Sequence, residues 1–280
     1  MRKLSIIALS VAFFVATGAE AVTYNLFVHG LSIKNHCGTI SNVNSATADV
    51  NNYWGSSVTG VANVRYIGFS DKAANGAFSW SSCGAQTQFD QALKVFCKGS
   101  NRCNIYTHST GGLVASYYFS KYSTSGYNID RIQLMANAAG GSELANAGSM
   151  LATVLNFTTA GLVNNTVVKS VTPSAARSSH DHNTMKNGRL LYTTAGEKGG
   201  LGSALLPGED DGVVANHSLC NIKTVDNVDI FCTKGNATMS EKCGFMWLST
   251  CKYTRWASTY TVGSYKGDDH SASKKHYNKR

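Results

Sequence analysis

The chain has 280 residues and a formal net charge of +9, with eight cysteines, 27 glycines and two prolines. That length holds one domain with a sizeable core or two small ones. No apolar stretch, the amino-terminal run included, reaches the roughly 20 residues that a bilayer span needs. The basic balance favours encounter with anionic partners such as lipid head groups or polymers, and no nucleic-acid-binding motif accompanies it.

The first element is Met1-Arg2-Lys3, an apolar run from Leu4 to Ala16, and the small-x-small site Ala19-Glu20-Ala21. Charge, apolar length and cleavage chemistry predict a secretory signal peptide over residues 1–21. Thr17, Gly18 and Glu20 end the run too early for a membrane anchor. The expected mature chain, residues 22–280, is therefore secreted or periplasmic, and its charge becomes +8 once Arg2, Lys3 and Glu20 leave. It contains all eight cysteines: Cys37, Cys83, Cys97 and Cys103 in one cluster, Cys220, Cys232, Cys243 and Cys251 in another. An even count on an exported chain predicts disulfides, and the clustering predicts bridges within each group. The intervals in the second cluster lack the close C-x2-C pairs typical of zinc sites.

After the signal, β-branched or apolar runs alternate with glycine-bearing turns and helical stretches, without an internal repeat or a linker. This is the α/β pattern. Strands are predicted over Thr23 to Val28, Asn63 to Phe69, Asn104 to Thr107, Ile129 to Ala136 and Arg189 to Thr194. Helices are predicted over Ala85 to Phe96, with Phe89, Leu93 and Phe96 on one face, and over Gly112 to Lys121. Ser109 falls between a strand and a helix, in Ile105-Tyr106-Thr107-His108-Ser109-Thr110-Gly111. A serine on such a turn can be a nucleophile whose small neighbours keep strand and helix from colliding. Gly111 and Gly112 are small; Thr107 stands where glycine is usual. The pair His180 and His182 could mimic metal ligands, but a polar loop explains it more simply, and no metal is predicted. The basic end, Lys274 to Arg280, reads as a solvated tail.

Two motifs carry a resemblance. Phe27-Val28-His29-Gly30-Leu31 ends the first strand, and His108-Ser109-Thr110-Gly111-Gly112 follows a later one. Together they resemble the α/β-hydrolase superfamily and, within it, secreted bacterial triacylglycerol lipases, which combine a "VHG" strand end with an "HSxGG" elbow. The resemblance implies an α/β-hydrolase fold, with a mostly parallel central sheet and helices on both faces. It implies Ser109 as nucleophile, with the backbone N–H groups of Leu31 and Thr110 as the oxyanion hole. Gly141-Ser142-Glu143-Leu144-Ala145 matches a "GS-x-LA" turn of such lipases, with a structural role.

In this superfamily the acid and then the histidine follow the serine in chain order. Asp210-Asp211-Gly212-Val213-Val214 is similar to the family's "NDGLV" segment and makes Asp211 the expected acid, with Asp210 and Glu209 as alternatives. His270, in a polar loop near the carboxyl terminus, is the expected base. His217 stands only six residues after Asp211 and His276 only four from the end; His29 and His108 flank the oxyanion donors and are expected to hold loops. The implied function is a secreted serine ester hydrolase acting on small-molecule or lipid esters, with peripheral contact to anionic lipid surfaces and no cofactor. Calcium is common in secreted lipases, but Ser271-Ala272-Ser273 follows the histidine where an aspartate would stand. Two alternatives remain: a non-catalytic binding module on the same fold, and an amidase or acyltransferase using the same triad.

Overall fold

The computed structural model describes residues 20–32, 37–40, 53–155, 162, 165–182, 185–189, 191–206, 210–219, 222–223, 229–230, 236–243, 249–256 and 263–277. All but the last two residues of the expected signal peptide, together with Glu209, Cys220 and Cys232, lie outside these.

Five parallel strands form the centre of the molecule: β1 (Thr23–Val28), β3 (Val64–Gly68), β4 (Arg102–His108), β5 (Ile129–Met135) and β6 (Tyr192–Gly196). Their spatial order is β3-β1-β4-β5-β6. The antiparallel strand β2 (Gly38–Ile40) lies outside β3, and β7 (Ile222–Lys223) and β8 (Asp229–Ile230) continue beyond β6. A late strand, β11 (Gly263–Tyr265), returns to pair in parallel with β6. The short antiparallel pair β9 (Asn236–Cys243) and β10 (Ser249–Trp256) forms a separate sheet, which the sequence pattern did not suggest.

Parallel strands are buried on both faces, so successive side chains enter two different cores. Leu26 and Val28 of β1, Ile67 of β3, Ile105 of β4 and Leu134 of β5 enter the larger core. There they meet α1 (Ala85–Phe96) through Phe89 and Leu93, and α2 (Thr110–Lys121) through Leu113, Val114 and Phe119. Three short helices, α3 (Gly148–Val154), α4 (Thr166–Ser170) and α5 (Pro173–Ser178), complete that side. Phe27, Tyr66, Tyr106 and Met135 enter the smaller core on the opposite face. It is roofed by Trp54, the 3-10 turn Gly55–Val58 and, beyond the carboxyl-terminal 3-10 turn Ala272–His276, Tyr277. Helical segments thus cover both faces, α-helices on one and 3-10 turns on the other. Each large apolar side chain buried this way contributes about 1.5–3 kcal/mol.

The strands and helices expected from the sequence are present, with some boundaries shifted. β6 begins at Tyr192, where pairing with Gln133 of β5 starts, and the Arg189 guanidinium donates to the carbonyls of Thr124, Tyr127 and Ile129. The first cysteine cluster is bridged internally, as Cys37–Cys83 and Cys97–Cys103. No helix among the described residues is long and apolar enough to cross a membrane.

Candidate active site

Ser109 sits where β4 ends and α2 begins, with φ 57° and ψ −126°. A non-glycine residue at positive φ outside the left-handed helical well costs about 1–3 kcal/mol, and surrounding bonds must hold it there. The Ser109 N–H donates to the Met135 carbonyl at 3.0 Å, and the Ser109 carbonyl accepts from Gly112 at 2.9 Å and Ala138 at 3.2 Å. The elbow is thus pinned to the end of the adjacent strand β5 and to its own helix.

The small residues around it are explained by close approach. A Cβ on Gly111 would lie 2.7 Å from the Val28 and His29 carbonyl oxygens, where α2 crosses the end of β1. A Cβ on Gly112 would strike the Asn137 side chain. Thr107, the departure from the usual glycine, is accommodated in the larger core's side of the sheet and is fully buried. Its hydroxyl has no hydrogen-bond partner among the described residues.

The segment His29-Gly30-Leu31 passes directly beside the elbow. A Cβ on Gly30 would fall 2.6 Å from the Ser109 Cβ, so only glycine fits. The Leu31 N–H makes no hydrogen bond among the described residues. Thr110 is the first residue of α2, and helix-opening N–H groups have no partner within the helix and carry its positive dipole end. His29 holds the loop: its Nδ1–H donates to the Gly30 carbonyl at 2.6 Å, its Nε2 accepts from Phe69 N–H at 3.3 Å, and its ring stacks on Phe69.

Asp211 lies in the segment after β6 and His270 in the segment after β11, and the pairing of these two strands brings them together. The His270 Nδ1–H donates to Asp211 Oδ2 at 2.8 Å, and the His270 N–H donates to the Asp211 carbonyl at 2.9 Å. The other carboxylate oxygen accepts from the Val213 and Val214 N–H groups at 3.0 and 2.8 Å. A carboxylate accepts only, so Nδ1 carries a hydrogen and Nε2 is the ring nitrogen that Asp211 does not engage. Ser142, in the Gly-Ser-x-Leu-Ala turn, braces this loop by donating to the Val213 carbonyl at 2.5 Å.

Two of the competing candidates have other partners. Asp210 accepts from Ser203 Oγ and Gly212 N–H, capping the turn before Asp211. His276 pairs with Asp268 and stacks on Tyr265. That pairing also ties down the segment read as a frayed tail, at least through Tyr277. His217 lies in the 3-10 turn Asn216–Ser218. His180 and His182 are buried with their rings 3.7 Å apart, bonded to Ser179 Oγ and the Ala176 carbonyl.

Ser109, His270, Asp211 and Leu31 line one cavity of about 960 Å³. Its further walls are apolar at Val154, Leu155, Leu201 and Val213 and basic at Lys198 and Lys274. Leu201, at 74 % exposure, presents its side chain to solvent. Two further groups, half-buried Tyr53 and buried Asp71, had no motif to mark them in the sequence. Tyr53 donates its hydroxyl to His108 Nδ1, and Asp71, just after β3, accepts the Ser32 N–H at 2.8 Å. Burial pushes the Asp71 carboxyl up to about 8, against the lowering effect of its bonds to Ser32 and Asn165. Burial holds the His108 imidazole well below the usual histidine range.

With its sheet order and the strained strand-to-helix turn at Ser109, the chain has the α/β-hydrolase architecture. No protein-family model and no curated protein matches the chain. Among solved structures, it is similar to the mature form of the lipase BlEst2 from Bacillus licheniformis, at 19% identity over 75% of this chain and 85% of that one, with a TM-score of 0.48. It is also similar to the phospholipase PlaB from Legionella pneumophila, at 17% identity over 88% of this chain and a TM-score of 0.48, where it spans about half (52%) of the phospholipase's length. A third similar structure is the metagenomic carboxyl esterase MGS0156, at 11% identity over 78% of this chain and 64% of that one, with a TM-score of 0.44.

Proposed function

We propose that the protein is an exported serine hydrolase of carboxylic esters. The observation that carries this reading is a serine held at positive φ on a strand-to-helix turn, in the same cavity as a histidine bonded through Nδ1 to a buried aspartate. In the proposed reaction Ser109 Oγ attacks the ester carbonyl while His270 Nε2 takes its proton. The oxyanion of the tetrahedral intermediate is bound by the Leu31 and Thr110 N–H groups. On collapse, the carbon–oxygen bond to the leaving alcohol breaks and His270 returns the proton to that alcohol. Water, deprotonated by the same histidine, then releases the acid and restores Ser109. Asp211 keeps the imidazole in the tautomer that makes Nε2 the base. No step calls for a cofactor.

The apolar walls suit an acyl chain, and the positive net charge of the chain suits lipid esters at an anionic surface. Two disulfides fit an oxidising compartment, in keeping with the signal sequence.

The test is a fluorophosphonate probe followed by peptide mapping, with hydrolysis assays on a soluble p-nitrophenyl ester and on anionic phospholipid vesicles at low and high salt. Ser109 should take the label, and Ser109→Ala should lose hydrolysis by several orders of magnitude. Lipid hydrolysis should weaken with salt, because exposed charges are screened within about 10 Å, while soluble-ester hydrolysis should not. Label on another residue with activity intact in Ser109→Ala overturns the nucleophile. Cleavage of amides but not esters moves the reading to an amidase, and no cleavage or labelling at all moves it to a binding module.

A further inference from the structure

We infer that Tyr53 is a positioning residue that sets the oxyanion loop and the base loop at a fixed spacing across the nucleophile; this rests on the ester-hydrolase reading above. Its hydroxyl accepts the Gly30 N–H at 2.7 Å and contacts His108 Nδ1 at 2.6 Å. His108 Nε2 lies 2.7 Å from the His270 carbonyl.

The proton positions follow from the chemistry. A carbonyl only accepts, so His108 Nε2 carries the hydrogen. The ring is neutral because burial disfavours its charged form, so Nδ1 is an acceptor and the Tyr53 hydroxyl is its donor. Three hydrogen bonds of fixed direction then run from Gly30, through Tyr53 and His108, to His270. One end of this chain adjoins the Leu31 N–H, the other carries the proposed base, and one of its two inner members, His108, is the residue before Ser109.

Two further observations fix the arrangement. A Cβ on Gly30 would stand 2.3 Å from the Tyr53 hydroxyl oxygen, so the glycine of the His-Gly pair makes room for the phenol as well as for Ser109. Lys274, four residues after His270, donates from Nζ to the Tyr53 carbonyl at 2.5 Å and lies 4.8 Å above its ring. Tyr53 is therefore held to the base segment through its backbone and to the oxyanion loop through its hydroxyl. Burial raises the phenol's pKa and lowers that of the imidazole, so the chain keeps its protons and works as a spacer.

Donors and base must be placed to within a fraction of an ångström to act on the transition state, and they matter less for ground-state binding. Tyr53→Phe keeps the ring, which packs edge-on against Trp54 and His29, and removes only the hydroxyl. The expected result on a short p-nitrophenyl ester is a kcat roughly 10- to 100-fold lower with KM within about twofold, and equally slowed fluorophosphonate labelling of Ser109. The second variant is His108→Asn, which cuts the link to His270. If the residues act as one chain, Tyr53→Phe in that background should cost much less than in the wild-type protein. Should Tyr53→Phe fail to fold, a fall in kcat at unchanged KM in His108→Asn carries the test alone. Full kcat in Tyr53→Phe, equal losses in kcat and binding, or multiplicative effects in the double variant overturn the inference while the wild-type enzyme remains active. A wild-type protein that neither hydrolyses the ester nor takes the probe overturns the hydrolase reading, and the inference with it.

Discussion

Asp211 shapes its own loop and, in the proposed mechanism, also orients the base. One oxygen receives two backbone N–H groups and shapes its own loop; the other faces His270. Asp211→Asn separates the two jobs. The amide oxygen can still accept from Val213 and Val214, so the thermal midpoint should stay within a few degrees. The amide nitrogen would then meet His270 Nδ1, drive the imidazole proton to Nε2, and leave Ser109 without a base. We expect kcat on a soluble ester to fall roughly 10³- to 10⁴-fold with little change in KM. Retention of more than a tenth of wild-type kcat would remove Asp211 from the proposed mechanism. Asp210, its neighbour in sequence, is committed to Ser203 and Gly212, so Asp210→Asn should leave kcat nearly unchanged.

Between elements, the two disulfides do different work. Cys97–Cys103 joins the end of α1 to the start of β4 across six residues, a connection already short. Cys37–Cys83 closes 46 residues and ties the segment after β1 to the turn before α1. Loop-closure entropy of the unfolded chain gives about 2 kcal/mol for the first and about 4 kcal/mol for the second. Urea unfolding of the paired serine variants should therefore show the larger loss for Cys37→Ser/Cys83→Ser. The opposite ranking would mean that native contacts, not chain entropy, dominate. The Cys83 carbonyl accepts the N–H of Ser70, next to Asp71, which holds Ser32, so removal of the longer bridge is expected to lower activity as well as stability.

Across the whole molecule, the buried Asp71 couples folding to pH. Its carboxyl is raised from 3.8 to about 8 by burial. Between these values the native state binds a proton that the unfolded chain has released, so stability falls as pH rises through the window. The group's favourable contribution is complete below about pH 4 and is lost progressively up to about pH 8. His108, held low by burial, acts in the other sense below its ordinary range: protonation of the unfolded chain there costs stability as pH falls. Asp71→Asn removes the first effect and leaves the second. Denaturant unfolding from pH 5 to pH 8 should show a flatter or rising profile for the variant. A decline as steep as that of the wild type would mean that Asp71 is ionised in the folded protein.

Much of this was legible along the chain because local chemistry dictates it. The apolar run within Thr23–Val28 and the small residues after Ser109 favour a strand and a tight turn wherever they fold. The order of Ser109, Asp211 and His270, read through the resemblance, named residues that the fold then gathers into one cavity. An unexpected sheet, β9 with β10, escaped because Asn236–Cys243 and Ser249–Trp256 have no clean apolar alternation. Tyr53 and Asp71 escaped for a deeper reason. Neither belongs to a motif, and each acquires its role from partners 23 to 55 residues away in sequence. Sequence alone determined which residues can bend, cross closely or carry a proton. Only the tertiary structure decided which buried polar groups face one another, because a hydrogen bond in the interior is set by the packing of distant segments and leaves no periodic trace in the chain.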